Sequence, residues 1–484
     1  MERTIDYVII AVYLIGVAIF GAIKGGKQKS SNDYFLGAKS VPWWAVCFSI
    51  VAAETSTLTF ISIPGLAYLT NLNFLQVTFG YLIGRIIISF YFLPAYYKGE
   101  MTTAYSFLEN RFGYKTRSFA SIVFIFTRMA ADGVRLFATA IPLKLMLDIS
   151  YPVAIIIIAI IALTYTYIGG VKGVIWVDVI QMVIYLGGAA IALGFLIWDF
   201  LPDGINSIFS TSLVDNKLNI INLGFDVGIG EFFATPYTLL GGLLGGAFLS
   251  MASHGTDQLI VQRLLTIKSL KESKRAIIGS GVLVIIQFAL FLFVGLALYT
   301  YYGTYELSTL GISKSDEIFP FFIINKLPVG ISGIIIAGLF AAALSTLAGS
   351  MSALASSTML DLYKPLTRIS DDDKELRISR LFTILWAILL VGSAFFFMSS
   401  SQTVVELALS IASFTYGGLL GTFILGLISK NATQEDALAG FTGGIFIMIT
   451  VISLQLVAWT WFTLVGVIVT VLIGSFLSRL KKIK

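Results

Sequence analysis

Two stretches of this 484-residue chain place polar groups inside apolar surroundings. The first is Ser49-Ile50-Val51-Ala52-Ala53-Glu54-Thr55-Ser56-Thr57, within an apolar run from about 41 to 69. It carries one carboxylate and four hydroxyls. At membrane depth such groups are costly, and they are held by pairing, by burial in protein or along a water-filled path. A polar, small-residue interruption is also where a spanning helix can unwind. Unwound backbone is tolerated where it lines a cavity, and its freed carbonyls can ligate a cation. The stretch reads as a helix broken near Ala52–Thr55, forming half of an ion and solute site. A continuous helix with polar groups packed against neighbours is the alternative. The second stretch is Phe340-Ala341-Ala342-Ala343-Leu344-Ser345-Thr346-Leu347-Ala348-Gly349-Ser350. Its adjacent hydroxyls, Ser345 and Thr346, together with backbone carbonyls, suit a neutral Na+ cage. A tightly packed small-residue helix interface explains the same run without an ion.

The elements that position these groups follow from composition. Mean hydropathy is +0.90, with 57% hydrophobic and 12% charged residues. That places the chain among proteins crossing the lipid bilayer several times. The single Cys47 excludes a disulfide within the chain and a cysteine-based metal site, and the lone His254 cannot build a histidine cluster. The net charge of +5 sits mainly in short loops and does not indicate nucleic acid as a partner. No nucleophile triad, metal-ligand cluster or phosphate-binding loop points to an enzyme. The first apolar segment reads as a retained span rather than a cleaved signal peptide.

At about 20 residues per span, thirteen helices are expected, near 6–24, 42–69, 73–97, 118–147, 151–168, 174–199, 237–265, 275–302, 328–362, 378–399, 404–428, 435–455 and 458–478. With the N-terminus outside, 24 of the 32 Lys and Arg fall on the inner side and 4 on the outer, Arg263 counting among the inner ones. The positive-inside rule therefore puts the N-terminus out and the C-terminus in. The run Gly241-Gly242-Leu243-Leu244-Gly245-Gly246 is a second candidate break, five helices after the first and entered from the opposite face. This is the pattern of an inverted five-plus-five repeat. It divides one transporter domain, 1–484, into a leading helix 6–24, repeats 42–199 and 237–428, and a trailing pair 435–478. Residues 200–236 are expected to cover the outer entrance, and the apolar piece Ile318–Ile324 to lie on the surface.

Several motifs, in one order along nearly the whole chain, carry a family resemblance. They are Asn32-Asp33-Tyr34-Phe35-Leu36-Gly37 with Val41-Pro42-Trp43-Trp44-Ala45; Phe92-Leu93-Pro94 with Ser106–Gly113; Tyr167–Gln181; Thr256-Asp257-Gln258-Leu259-Ile260-Val261-Gln262-Arg263-Leu264-Leu265; and Phe340–Ser350. Together they resemble the sodium/solute symporter family of sodium–glucose, sodium–proline and sodium–sialic acid carriers. The resemblance implies the fold of the bacterial leucine transporter, with an extra leading helix. It also implies a principal Na+ site of backbone carbonyls at Ala52 and Thr55, and of a carbonyl and two hydroxyls at Ala342, Ser345 and Thr346. Ser345 and Thr346 are the diagnostic pair. Some members hold a second Na+ through an aspartate matching Asp178 and through hydroxyls one turn after Ser345. Here those later positions are Ala348 and Gly349, which have no side-chain oxygen, so one Na+ per solute is expected. Asp178 then reads as a structural or relay carboxylate, a coupling residue beside the ion.

The implied function is alternating-access import of a small polar solute: a sugar, a sialic or other carboxylic acid, or an amino acid. The expected place is a plasma membrane, of a bacterium or archaeon. Glu54 could take an ammonium, accept bonds from sugar hydroxyls, or pair with an arginine. Arg128, Asp132 and Arg135 share one helical face by their spacing. In sialic acid carriers an arginine on this helix recognises the solute carboxylate by bidentate geometry, and either Arg128 or Arg135 fits the role. Ser56 and Thr59 can offer hydroxyls to the solute, with Phe60 and Tyr81 as candidate walls. Proton coupling through Glu54, Asp132 and Asp178 is the near alternative. A membrane sensor is the more distant one, disfavoured by the lack of an output domain after 484.

Overall fold

The structure is a computed structural model describing residues 3–99, 101–147, 149–303, 307–312, 314–398 and 404–483, without the side chains of Leu58 and of residues 141–142, 145–147, 404–414 and 482–483. All regular elements among the described residues are helical. In order they are α1 (Thr4–Gly25), α2 (Ser31–Leu36), α3 (Trp43–Glu54), α4 (Thr57–Leu69), α5 (Leu75–Lys98), α6 (Ser106–Phe112), α7 (Tyr114–Leu147) and α8 (Tyr151–Phe195). There follow α9 (Ile205–Val214), α10 (Ile229–Ala234), α11 (Gly246–Gly255), α12 (Gln258–Leu265), α13 (Leu270–Tyr302), α14 (Ile318–Lys326) and α15 (Ile331–Ser357). The chain ends with α16 (Lys364–Thr367), α17 (Asp372–Phe397), α18 (Val404–Ile428), α19 (Gln434–Ser453) and α20 (Trp459–Ile483).

Eight helices among the described residues are long and apolar enough to cross a membrane, or nine when the bent pair Ser31–Lys39 and Trp43–Glu54 counts as one span. The expected loop between 168 and 174 is instead a one-residue kink inside α8. Gly170 there has φ 57°, and a Cβ on it would lie 2.6 Å from the Tyr34 carbonyl oxygen. Only glycine serves such a left-handed, crowded position.

The central element is α15. In its most apolar stretch 89% of residues are buried, against 22% in α1. Alanine, glycine and serine dominate it, so neighbouring backbones approach closely. Its N-terminus is capped across helices: Asp6 of α1 accepts from the Gly330 and Gly333 amides at 2.6 and 3.0 Å and from Ser332 Oγ at 2.7 Å. A carboxylate there satisfies orphan amides and complements the helix dipole.

Two sequence expectations are corrected. Gly241–Gly245 is not unwound but forms a wide π-helical turn leading into α11. Its glycines serve contact. A Cβ on Gly245 would collide with the Thr460 carbonyl oxygen, and one on Gly246 with that of Val77. The interruption falls later, at Thr256 and Asp257 between α11 and α12, where Asp257 has φ −82° and ψ 127°. Likewise Ile318–Ile324 does not lie on the surface. It lies within α14, whose Ile318, Phe319, Phe322 and Ile323 are fully buried, with Phe319 stacked 5.2 Å from Phe60. The piece is apolar because it is core.

Candidate ion and solute site

α3 stops at Glu54, and α4 starts at Thr57. Between them Thr55 (φ −81°, ψ 107°) and Ser56 (φ −94°, ψ 170°) are extended. The Thr55 amide still closes the last turn onto Val51, but among the described residues no amide from beyond the break reaches the Ala52 carbonyl. The Thr55 side chain is fully engaged. Its hydroxyl donates to the Val51 carbonyl at 2.8 Å and accepts from Tyr185 at 3.1 Å and from Gln287 at 2.5 Å. What Thr55 can offer an ion is its backbone oxygen.

α15 runs antiparallel to this break, as two tie points show. On one side Thr57 Oγ1 donates to the Leu339 carbonyl at 3.3 Å. On the other, Ser49 and Ser345 both donate to Asp178 of α8. Residues 52–55 and 342–346 lie opposite one another around these ties. The structure thus brings Ala52, Thr55, Ala342, Ser345 and Thr346 into one neighbourhood, all buried. Their oxygens are neutral. Ser345 commits its proton to Asp178 Oδ1 at 2.6 Å, and Thr346 commits its own to the Ala342 carbonyl at 3.1 Å. Both hydroxyl oxygens keep lone pairs for a cation.

A cavity adjoins this site, lined by Ser56, Asp132, Arg135, Thr139, Ala343 and Thr346 among others. Arg135 is the exposed member of the α7 pair at 27%, against 6% for Arg128. Among the described residues the Arg135 guanidinium bonds Asp132 through Nη1 alone, at 3.0 Å. Arg128 reaches Asp132 only at 3.5 Å and pairs more closely with Asp257, which also accepts from Tyr416 at 2.9 Å and caps α12 through the Leu259 amide at 2.9 Å. Asp132 completes the group by accepting from Ser350.

Glu54 points away from this cavity. It pairs with the fully buried Arg85 of α5 and lies 3.4 Å from His254 Nε2, while Arg85 also bonds Ser280 at 2.8 Å. Thr59 is half-buried, and neither it nor Tyr81 lines the cavity with Arg135; Phe60 packs in the core between Phe291 and Phe319. Sequence reasoning left open whether Glu54 meets the solute or an arginine, and it did not single out Arg85. The usable signal was Arg85 itself, a lone arginine in an apolar span that needs a carboxylate. Arg263 was also missed, having been counted with the inner loops. It is 1% exposed and pairs with Asp178 at 3.1 Å.

The profile of the sodium:solute symporter family matches residues 34–444. The chain belongs to this family. It is a Na+-coupled solute symporter of a multi-pass membrane family, whose members are transporters rather than enzymes. Among its relatives, the sodium/sialic acid symporter NanT of Aliivibrio fischeri is 30% identical over 99% of this chain and 94% of its own. The sodium/sialic acid symporter SiaT of Proteus mirabilis is 30% identical over 90% and 87%. A solved Na+-coupled sialic acid symporter, substrate-bound and outward-open, superposes with a TM-score of 0.90 at 28% identity, covering 99% of this chain and 98% of that one. Mhp1, a nucleobase-cation-symport-1 transporter, shares the fold at a TM-score of 0.57 and 14% identity.

Proposed function

We propose that the chain imports a carboxylate-bearing, sugar-sized solute of the sialic acid class with one Na+. The ion is held by the Ala52, Thr55 and Ala342 carbonyls and the Ser345 and Thr346 hydroxyls. The solute carboxylate sits on the free edge of Arg135, with Ser56 offering a hydroxyl. The observation that carries this is the charge balance. Four carboxylates around the site each face an arginine: Glu54 with Arg85, Asp132 with Arg135, Asp178 with Arg263, and Asp257 with Arg128. The five proposed sodium oxygens are neutral, so Na+ brings a charge that no ligating carboxylate offsets. An anionic solute supplies that offset, and opposite charges in a poorly solvated site attract strongly. The arginine pairing also speaks against proton coupling, because Glu54, Asp132 and Asp178 already have fixed cationic partners.

In this mechanism Na+ ties the broken α3–α4 segment to α15. That tie orders Ser56 and Thr346 on opposite walls of the cavity, and solute then closes it. Each ligand stabilises the state the other binds, so the coupling is reciprocal. We further read thirteen crossings, N-terminus out and C-terminus in. The count follows when the kinked α8 is taken as two spans and α3–α4, α11–α12 and α18 as one each. Helices α3–α8 and α11–α18 then form the inverted repeats, with the whole in a bacterial or archaeal plasma membrane. The test is thermal stabilisation of the purified protein by a panel of acidic sugars, neutral sugars and amino acids, in Na+ and in K+. Stabilisation by acidic sugars only in Na+ supports the proposal. Stabilisation by neutral sugars alone, or one that follows pH and ignores Na+, overturns it.

A further inference from the structure

Arg380 of α17 is a cation without an anion. Arg85, Arg117, Arg128, Arg135 and Arg263 each pair with a carboxylate. Arg380 is half-buried, and among the described residues it makes no ion pair. Its Nη2 donates to Gln28 Oε1 at 2.9 Å, while its Nη1 and its buried Nε have no hydrogen-bond partner among them. The guanidinium rests on two rings, 5.9 Å from the Tyr34 centroid and 5.7 Å from that of Tyr167. Tyr34 is buried and fixed: its hydroxyl bonds the Thr166 carbonyl of α8 at 3.0 Å and lies 3.1 Å from Thr383 Oγ1 of α17. Tyr167 is exposed. The acids near this corner are engaged or distant. Glu375 holds Lys364 at 2.9 Å and accepts from Ser31, Asp33 accepts from the Lys29 amide at 3.2 Å, and Asp371 caps α17. Asp372 and Asp373 lie about two turns before Arg380, toward the aqueous end of the helix.

We propose that this corner binds the phosphate of one anionic phospholipid, in the leaflet at the α17 N-terminus, which is the inner leaflet in the orientation read above. Arg380 gives a phosphate oxygen its Nη1. Arg377, one turn earlier, and Lys27 and Lys29, on either side of Gln28, are exposed and add positive charge. From the corner an apolar strip runs along both helices, with Ile160, Tyr167 and Ile168 on α8 and Leu381, Leu385 and Ile388 on α17 all exposed. An acyl chain lies along that strip, continuous with the surface the protein turns to the bilayer. A half-buried cation at a membrane helix needs a counter-charge, and the protein supplies only an amide and two rings. An arginine stacked on aromatic faces keeps its fork fixed for phosphate. Basic pockets between membrane helices select anionic headgroups in this way. The site shares no residue with the ion and solute site, so it stands whichever solute is carried.

The experiment is thermal unfolding of the purified full chain in detergent, titrated with phosphatidylglycerol, phosphatidylcholine or soluble glycerol phosphate. For wild type, phosphatidylglycerol is expected to raise the unfolding temperature saturably, at concentrations where phosphatidylcholine and glycerol phosphate leave it unchanged. Arg380→Gln is expected to raise half-saturating phosphatidylglycerol on the order of tenfold, the loss of one charge-assisted hydrogen bond. Lys430→Gln, which removes an exposed cation in the turn between α18 and α19, is expected to change it less than about twofold. Equal stabilisation by both lipids, or unchanged half-saturation in a folded Arg380→Gln, overturns the proposal. Glycerol phosphate matching phosphatidylglycerol at equal concentration overturns it too, because the site would then take a free anion rather than a lipid. Should Arg380→Gln not fold, Tyr167→Glu, at an exposed position, gives the guanidinium a carboxylate and is expected to abolish the preference for phosphatidylglycerol. A preference retained in that variant overturns the proposal equally.

Discussion

Arg135→Gln separates solute recognition from ion binding. The guanidinium holds Asp132 by one nitrogen and presents its other edge to the cavity. A bidentate carboxylate there makes two charge-assisted hydrogen bonds, each about 1.5–3 kcal/mol in a buried setting. At 27% exposure water takes part of that, and about 2–3 kcal/mol remains for the pair. The KM for an acidic solute should then rise roughly 30- to 150-fold. Na+ binding without solute should stay within about twofold, because Arg135 touches none of the five ion oxygens and Asp132 keeps Ser350 and Arg128 as partners. The assay is initial uptake into proteoliposomes at saturating Na+, with sodium binding measured on the same preparation. Arg128→Gln is the contrast: it strips a buried partner from Asp257 and Tyr416, so about 3–5 kcal/mol of stability is at stake and loss of folded protein is expected rather than a clean KM change. A folded Arg135→Gln with KM within threefold of wild type would refute the assignment of this arginine to the solute.

Ser345→Ala removes one ion oxygen and the bond to Asp178. Half-saturating Na+ should rise on the order of tenfold or more, whereas Ser350→Ala, which removes the hydroxyl bonded to Asp132, should leave it nearly unchanged; equal effects would reject the ion site. Glu54→Gln leaves Arg85 without its carboxylate and should lower the unfolding temperature, while Glu54→Gln with Arg85→Gln should recover part of the loss; additive losses would contradict a pair. Gly245→Ala drives a Cβ onto the Thr460 backbone and should reduce folded yield sharply, whereas Gly187→Ala, with nothing within 4 Å, should be neutral or stabilising by up to about 1 kcal/mol. Equal yields would show that the glycine contact between the π-helical turn ahead of α11 and α20 is dispensable. One Na+ moving with one carboxylate carries no net charge. A clamped potential of about 100 mV, worth about 2.3 kcal/mol per elementary charge, should therefore change solute accumulation less than twofold; strong voltage dependence would reject this charge count.

The all-helical architecture was legible because apolar runs and loop charges are long-range patterns. The first break was legible because Ser49–Thr57 puts polar groups where apolar ones belong. The second was misplaced because glycine marks both unwinding and close packing. At Gly241–Gly246 the carbonyls of Val77 and Thr460 required the space, while the true interruption at Thr256–Asp257 carries a single glycine, Gly255, and the Asp257 cap of α12, a weaker signal than four glycines in six residues. Ser345 and Asp178 could be singled out from motifs, yet nothing in the spacing of the chain joins Arg263 to Asp178 or Arg85 to Glu54. Those pairs join α12 to α8 and α5 to α3 and exist only once the helices pack. Charges four apart on one helix were conspicuous, and the partners that mattered were far apart in sequence.

The most direct measurement is uptake of a labelled sialic acid into proteoliposomes at zero clamped potential, under an inward gradient of Na+, K+ or H+ in turn. The account predicts accumulation above equilibrium with the Na+ gradient alone, abolished by Ser345→Ala at low Na+ and weakened by Arg135→Gln. Accumulation driven by the proton gradient without Na+, or Na+-driven uptake of neutral sugars in preference to the acid, would contradict it.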